Sequence, residues 1–542
     1  MFAGGSVAVE QPLFWSDQLA YAVTRKFPEK DTYVVASGIT PSGHVHIGNF
    51  REIITTDFVY KSLKNYGEEA KFIYSWDDYD RFRKVPEEEP DSYEQHIGLP
   101  ASEVPDSEGC HESYAAHFEA ELEESLEDMH LDVEFIRQSE MFQKGKYSSL
   151  IRDAMNSRDT VKDILDQYRS EDLEDDWQPL RVYCRECGKD FTDVKEYNGE
   201  FTVTYFCKEC GEEFGIDFRE DDSVKPPWRV DWPMRWVYED VSFEPGGKDH
   251  SAAGSSRDTG EEIIREVWGE EPPVYQMYDF VRLKGSDKKI SSSSGEDVMT
   301  LEDMKEVYSP EMIRFLFSQS KPRSVIELAF GEEAIQVFDR FDRIESHYFN
   351  PEDMENEKKS RHQERVYELA MVETPEQEPV RVPFKHASFV AQTVPEKEWR
   401  TRGIESLQRT GHVPEDISEQ NVERTMERMR RAKNWAREYA PEKYVYRINT
   451  DAEGTEQLEE NQVEALELLL QALEDSPDEE KIDERMWDVR DESELETGEF
   501  FETCYTALLG KDSGPRLSTL IASLGTSKTQ SILSEVIEKA ET

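Results

Sequence analysis

Ser37-Gly38-Ile39-Thr40-Pro41-Ser42-Gly43-His44-Val45-His46-Ile47-Gly48-Asn49 is a turn rich in glycine, proline and serine. Ahead of it, Tyr33-Val34-Val35-Ala36 is a short apolar run that reads as a buried strand. Beyond it, Phe50, Ile53, Ile54, Phe58 and Leu63 recur at helical spacing until Gly67. Strand, turn and helix start are therefore expected in that order. A helix start collects phosphate, because its free N–H groups point outward and its dipole end is positive. His46 and Asn49 lie three apart in the first turn and share a face. A plain β–α junction, with glycines serving only the turn, would give the same outline. Two histidines and an asparagine at the helix mouth favour phosphate chemistry.

The remainder of the chain supports a multidomain protein. Its 542 residues allow roughly three to five domains. Aromatics make up 11% and are spread along the chain, which argues against disorder despite 34% charged residues. Asp and Glu number 119 against 64 Lys and Arg, a formal net charge of −55. A nucleic-acid-binding protein usually carries a basic field. Here the acids are scattered rather than gathered in one tail, which suggests adaptation to a salt-rich interior and a halophilic protein. Under that reading the charge says little against RNA binding. No apolar run approaches the length of a membrane span, and no signal-type segment is visible, so a cytoplasmic protein with reduced thiols and no membrane partner is expected.

Residues 1–85 read as the first half of a nucleotide-binding domain, with a second strand at Lys71 to Trp76 ending in Asp77-Asp78-Tyr79-Asp80. Ligands of open α/β sheets gather at such strand ends, although Asp77 also fits a plain acidic loop. Residues 86–180 read as a helical insertion carrying Asp106, Cys110, His111 and His117, a set open to either a metal or a capping role. Residues 181–218 hold Cys184-x2-Cys187 and Cys207-x2-Cys210, with nineteen residues between the pairs and a glycine after each. That pattern predicts a zinc ribbon, closed by four thiolates and therefore structural.

Residues 219–300 return to the nucleotide domain. Trp228, Trp232 and Trp236 follow in quick succession around Asp231, and Pro233 is expected to prevent one regular helix through all three. Aromatic packing and an ammonium pocket both fit this run. Gly246-Gly247-Lys248-Asp249-His250 allows close backbone approach, with Asp249 placed to accept from ribose hydroxyls. Lys284 to Gly295 is a lysine- and serine-rich loop that suits triphosphate or is simply flexible and polar. Residues 301–350 read as connecting helices and 351–542 as a helical region. A basic stretch from Arg424 to Arg447 fits phosphate contacts or helix-surface ion pairs equally well.

His46-Ile47-Gly48-Asn49 resembles the HIGH signature of class I aminoacyl-tRNA synthetases, and Lys289-Ile290-Ser291-Ser292-Ser293 resembles their KMSKS loop. With SGITPSG, DDYDRFRKVP, WRVDWPMRW, GKDHSAAGSSRDTG, FKHASF and GPRL, the set is similar to the class I lysyl-tRNA synthetases over most of the chain. The resemblance implies a Rossmann-like α/β catalytic domain, a zinc-bearing insertion and an all-α C-terminal anticodon-binding region. It implies lysine contacts at Gly38, Thr40, Trp228 and His250, with Asp231 or Asp77 meeting the ammonium group. His46, Asn49 and Lys289 are the implied catalytic groups. His44, Ile47, Gly48, Asp249, Lys288, Ser291, Ser292 and Ser293 are the implied ATP contacts. It raises the Asp106, Cys110, His111, His117 set to a second zinc site beside Cys184, Cys187, Cys207 and Cys210. Partners are then ATP with Mg²⁺, L-lysine and tRNA-Lys, with a monomer favoured. The loop departs from KMSKS in carrying Ser292 where the second lysine stands. Alternatives are another class I synthetase of the glutamyl-like group, a tRNA-independent adenylate-forming ligase, and a non-enzymatic zinc-ribbon RNA binder.

Overall fold

A computed structural model of the chain describes residues 12–86, 89–220, 223–252, 254–284, 299–351, 356–474 and 479–540. They fall into two compact units. The first comprises Met1–Lys305, Ile313–Leu328 and Arg361–Val372. The second comprises Glu306–Met312, Ala329–Ser360 and Glu373–Thr542. No helix among the described residues is long and apolar enough to cross a membrane.

The first unit is built on one sheet. In chain order its elements are α1 (Trp15–Lys26), β1 (Tyr33–Ile39), α2 (Ile47–Asn65), β2 (Ala70–Trp76), α3 (Tyr114–Leu126), β3 (Val133–Arg137), β4 (Val241–Gly247) and β5 (Val274–Tyr278). The strand order is β5-β4-β1-β2-β3 and every neighbouring pair is parallel. This is the α/β arrangement expected from the opening turn. The chain winds outward from β1 to β3 and then returns to the other side of β1, so the order reverses between β1 and β4. A crevice opens at the carboxyl ends of strands at such a reversal.

β3 lies inside the stretch that reads as helical. It is five residues long and sits between helices, too short for its alternation to stand out. Its register with β2 runs from Phe72↔Val133 to Trp76↔Arg137.

Helix α2 carries the phosphate-collecting end and is held from nearly all sides. Ile47, Phe50, Ile53, Ile54, Phe58, Val59 and Leu63 are all buried, which includes every position of the predicted stripe. Two charged residues are buried with them. Arg51 donates to the carbonyls of Phe280 (3.0 Å), Pro322 (2.6 Å) and Ser324 (2.6 Å). Asp57 pairs with Arg314, whose guanidinium also donates to the Leu369 carbonyl, and neither side chain is more than 1% exposed. Removing one partner of such a pair strands a charge away from water. Asp57→Asn is accordingly expected to lower unfolding free energy by about 3–5 kcal/mol in denaturant titrations. An unchanged midpoint would show the pair to be neutral for stability.

The two Cys pairs sit at one end of a three-stranded antiparallel sheet, Thr192–Tyr197, Thr202–Cys207 and Glu212–Asp217, with Cys184 and Cys187 in the loop before its first strand, Cys207 ending the second and Cys210 in the turn that follows. Its stem is the short pairing of Arg181–Val182 with Val224–Lys225. The second unit is helical, with long members at Glu333–Phe349, Glu419–Glu438 and Thr526–Ala540. Many cations of its basic stretch are committed to internal partners: Arg428 to Asp342, Arg431 to Glu427 and the Tyr308 carbonyl, and Lys433 to Glu396. Ion pairing therefore accounts for much of that stretch.

Candidate active site

The crevice at the β1/β4 reversal is a cavity of about 520 Å³. Its walls bring together Gly38, Thr40, His44, Asn49, Asp77, Trp228 and His250, all singled out in the sequence. Distant stretches of chain thus meet at one place, as the sheet order requires.

His46 is the N-cap residue of α2. Its Nδ1 accepts from the Asn49 backbone N–H at 3.3 Å, which leaves Nε2 as the protonated, donating nitrogen. The ring folds back over the helix start, and a Cβ at position 48 would stand 2.8 Å from its Cε1 and Nδ1. Gly48 is therefore required by the His46 conformation. At the end of β1, a Cβ on Gly38 would stand 2.6 Å from the Ser75 carbonyl oxygen. Glycine there lets β1 and β2 run side by side to the cavity edge.

The residues that follow the lysine- and serine-rich stretch, Met299 and Thr300, lie beside the helix start. Ile47 N–H donates to the Met299 carbonyl at 2.8 Å, and His46 forms an isolated antiparallel bridge with Thr300. Before the loop, Lys284 N–H donates to the Leu328 carbonyl. Lys288, Lys289, Ser291, Ser292 and Ser293 lie outside the described residues. Asp249 sits in the short turn Lys248–His250 after β4.

The acids and cations of the cavity form a linked set. Arg235 contacts Asp77 at 2.5 Å and Asp231 at 3.5 Å. Lys225, delivered by the ribbon stem, contacts Asp80 at 2.8 Å and Asp231 at 3.4 Å. Thr40 Oγ1 donates to Asp80 at 3.3 Å. Burial works against charge on Lys225, yet Asp231, Asp80 and Asp77 together raise its pKa. Burial raises the pKa of Asp77, with Arg235 opposing it. Asp231 is fully buried and lies behind the cavity wall rather than on it.

Trp228, Trp232 and Trp236 stand on one continuous helix, Trp228–Tyr238, with Pro233 inside it. This corrects the expectation of a break. Proline's fixed φ suits the helix, and its missing N–H removes only the bond to the Arg229 carbonyl. The Trp228 and Trp232 rings stack at 5.2 Å and 13°. His250 lies 6.4 Å from the Trp228 ring, and burial lowers its pKa, favouring neutral imidazole.

Two acids of the site carried no sequence signal. Glu52, on α2, accepts from Gly38 N–H at 3.1 Å and from the Tyr278 hydroxyl at 2.5 Å, tying β1 to β5; burial pushes it up to about 8. Glu244, on β4, accepts from the indole N–H of Trp232 at 3.0 Å and of Trp236 at 2.5 Å. Each reads as an isolated acid in an apolar run, in a chain where acids are everywhere.

The four ribbon sulfurs fit one metal ion. Cys184–Cys210 and Cys187–Cys207 are 3.8 and 3.7 Å apart, and all four lie within 4.8 Å of one another. A zinc–sulfur tetrahedron with bonds of about 2.3 Å has edges of about 3.8 Å. Backbone N–H groups of Glu186 and Cys210 point at Cys184 and Cys207, as suits thiolates. The second set is equally compact. Cys110 Sγ lies 3.3 Å from Asp106, 3.1 Å from His111 Nδ1 and 3.3 Å from His117 Nδ1. Next to it, His44 Nδ1 lies 2.8 Å from Glu121 and its ring meets Phe118 edge-on at 5.2 Å, so the helix that bears His117 also holds His44.

Residues 13–373 match the family model described as "tRNA synthetases class I (K)", and residues 404–537 match "Anticodon binding domain". The chain belongs to the class I tRNA synthetases (K). It is similar to the lysine–tRNA ligase of Thermococcus kodakarensis, with 41% identity over 94% of this chain and 97% of that one. That of Pyrococcus furiosus is 39% identical over 94% and 97%. That of Borreliella burgdorferi is 36% identical over 96% and 99%. As a class I tRNA synthetase the chain is an enzyme with a parallel-sheet catalytic domain and a helical anticodon-binding domain.

Proposed function

We propose that this synthetase is a lysine–tRNA ligase, which activates L-lysine with ATP as lysyl-adenylate, releasing pyrophosphate, and then transfers the lysyl group to the terminal adenosine of tRNA-Lys, releasing AMP. What carries this reading is the cavity that runs from the start of α2 to a cluster of carboxylates and Trp228, with an indole-walled niche adjoining it. The lysine carboxylate oxygen attacks the α-phosphorus in line, that P–O bond forms, and the bond to the β-phosphate oxygen breaks as pyrophosphate leaves. The protein's part is positioning and charge stabilisation. His46 Nε2–H and Asn49 donate to the phosphate on which charge builds. Lys289, Lys288 and Ser291 to Ser293 serve the β- and γ-phosphates, with His44, Ile47, Gly48 and Asp249 as further ATP contacts. Gly38, Thr40, Trp228 and His250 shape the amino-acid pocket. Magnesium bound with ATP supplies charge neutralisation to the leaving pyrophosphate. The four ribbon thiolates, and the Asp106, Cys110, His111, His117 set, would each hold a zinc ion in a closed shell, which would supply folding energy.

The helical region provides the surface for tRNA. A cavity of about 1070 Å³ there is lined by Arg402, Arg409, Lys481, Arg485 and Lys528 and, among the described residues, one acid, Glu405. Such a basic concentration in a chain of net charge −55 suits an RNA backbone. The divisions at 85, 180, 218, 300 and 350 follow this reading as catalytic halves, insertion, ribbon, connector and anticodon-binding region.

Pyrophosphate exchange into ATP, run in high KCl, tests the proposal. Lysine is expected to support exchange and glutamate to give only background. Equal rates with both would overturn lysine specificity, and no exchange with any amino acid would favour a non-enzymatic RNA binder.

A further inference from the structure

A lysine substrate brings a side-chain ammonium that must leave water, and a buried cation needs a carboxylate still able to receive it. Three acids around the cavity are already engaged: Asp77 with Arg235, Asp80 with Lys225, and Asp231 with both. Glu52 accepts only from neutral donors too, the Gly38 N–H and the Tyr278 hydroxyl, but these bonds join β1 to β5 and it does not line the niche of the three tryptophans. Glu244 differs in standing among the three indoles. Among the described residues no lysine, arginine or histidine lies in salt-bridge contact with it, and its donors are two neutral indole N–H groups. Those bonds fix the carboxylate's orientation and favour its charged form, yet they bring no positive charge. Burial correspondingly raises its pKa, with the two indoles and, more weakly, the nearby Arg235 charge opposing the rise.

Glu244 also faces a space of the right size. A niche of about 30 Å³ adjoins the main cavity and shares Gly38, Asp77 and Trp228 with it. That volume is enough for a small terminal group such as an ammonium. Its walls include Trp228, Trp232 and Trp236, whose ring faces attract a cation. Arg235 reaches the same niche but is committed to Asp77 and lies 5.2 Å over the Trp228 ring.

We propose that Glu244 receives the ε-ammonium of the substrate lysine in this niche and thereby sets the enzyme's selectivity for a cationic side chain. The assignment rests on the lysine-ligase reading. A glutamate side chain would meet like charge at Glu244. A side chain of equal length without the amine would leave Glu244 buried and unpaired.

The test separates the ammonium from the rest of the ligand. Norleucine is lysine without the ε-amine and serves as a competitive inhibitor of lysine-dependent exchange. In Glu244→Gln the KM for lysine should rise about 30-fold, the cost of removing one partner of a buried charge pair. The inhibition constant for norleucine and the KM for ATP should stay at wild-type values, which also certifies that the variant folds. Glu244→Asp, which keeps the charge and shortens the reach, should retain selectivity for lysine over norleucine with a smaller rise in KM. The proposal is overturned if Glu244→Gln loses lysine and norleucine equally, or neither. It is also overturned if Asp77→Asn alone produces the lysine-only loss, or if Glu244→Asp abolishes the selectivity. Failure of the wild-type enzyme to exchange with lysine would instead remove the lysine-ligase reading.

Discussion

His46→Ala is expected to lower the rate of lysine-dependent pyrophosphate exchange by about 10²- to 10³-fold, with little change in the KM for lysine. The expectation follows from where the proton sits. Because Nδ1 accepts from Asn49 N–H, the donor is Nε2–H, and the ring cannot turn away without breaking that cap. Gly48 leaves the room for this fold-back, and the antiparallel bridge to Thr300 fixes the backbone that carries it. A donor held so rigidly pays no reorganisation cost when charge develops on the α-phosphate. It therefore acts on the transition state more than on bound ATP. Alanine also removes the cap, which costs the helix start about 1 kcal/mol. His46→Asn, which restores a capping oxygen, separates the effects: it should regain stability while remaining catalytically impaired. A wild-type exchange rate in His46→Ala would reject the role.

The parts of this site that were legible in the sequence are those whose chemistry is local. A strand, a turn and a helix start lie within one short stretch, so the placement of His46 and Asn49 followed from spacing. The ribbon was legible because four cysteines in two equal pairs have few other uses. Glu52 and Glu244 were hidden for the opposite reason. Their meaning comes from Tyr278, Gly38, Trp232 and Trp236, partners supplied by distant strands or by the preceding helix. Lys225 is the same kind of case: it reads as the end of a loop, and only the pairing of Val224–Lys225 with Arg181–Val182 carries it to Asp80 and Asp231. β3 escaped because tertiary pairing, not a long periodic run, makes those five residues a strand. The tryptophan helix shows the converse error, in which a local rule about proline was applied where one lost hydrogen bond is tolerable.

That same ribbon stem joins the four-cysteine cluster to the proposed amino-acid pocket, and the link makes Cys207→Ser the second variant with a large expected effect. Cys207 is fully buried at the end of its strand, opposite Thr192 on one side and Glu212 on the other. Its sulfur lies 3.7 Å from Cys187 and accepts from the Cys210 backbone N–H. A small three-stranded module has little core of its own, and structural zinc supplies about 10 kcal/mol or more to modules of this kind. A serine hydroxyl at position 207 is a poor thiolate substitute. The variant should therefore lose about one zinc per chain by metal analysis, and the 181–218 segment should become protease-sensitive. Because the stem aims Lys225 at Asp80 and Asp231, the KM for lysine should rise more than the KM for ATP. Chelation of the wild-type enzyme should reproduce both changes, since it removes the ion without altering a side chain. Full zinc retention in Cys207→Ser would refute the four-thiolate site, and zinc loss with an unchanged KM for lysine would show that the stem holds Lys225 without the metal.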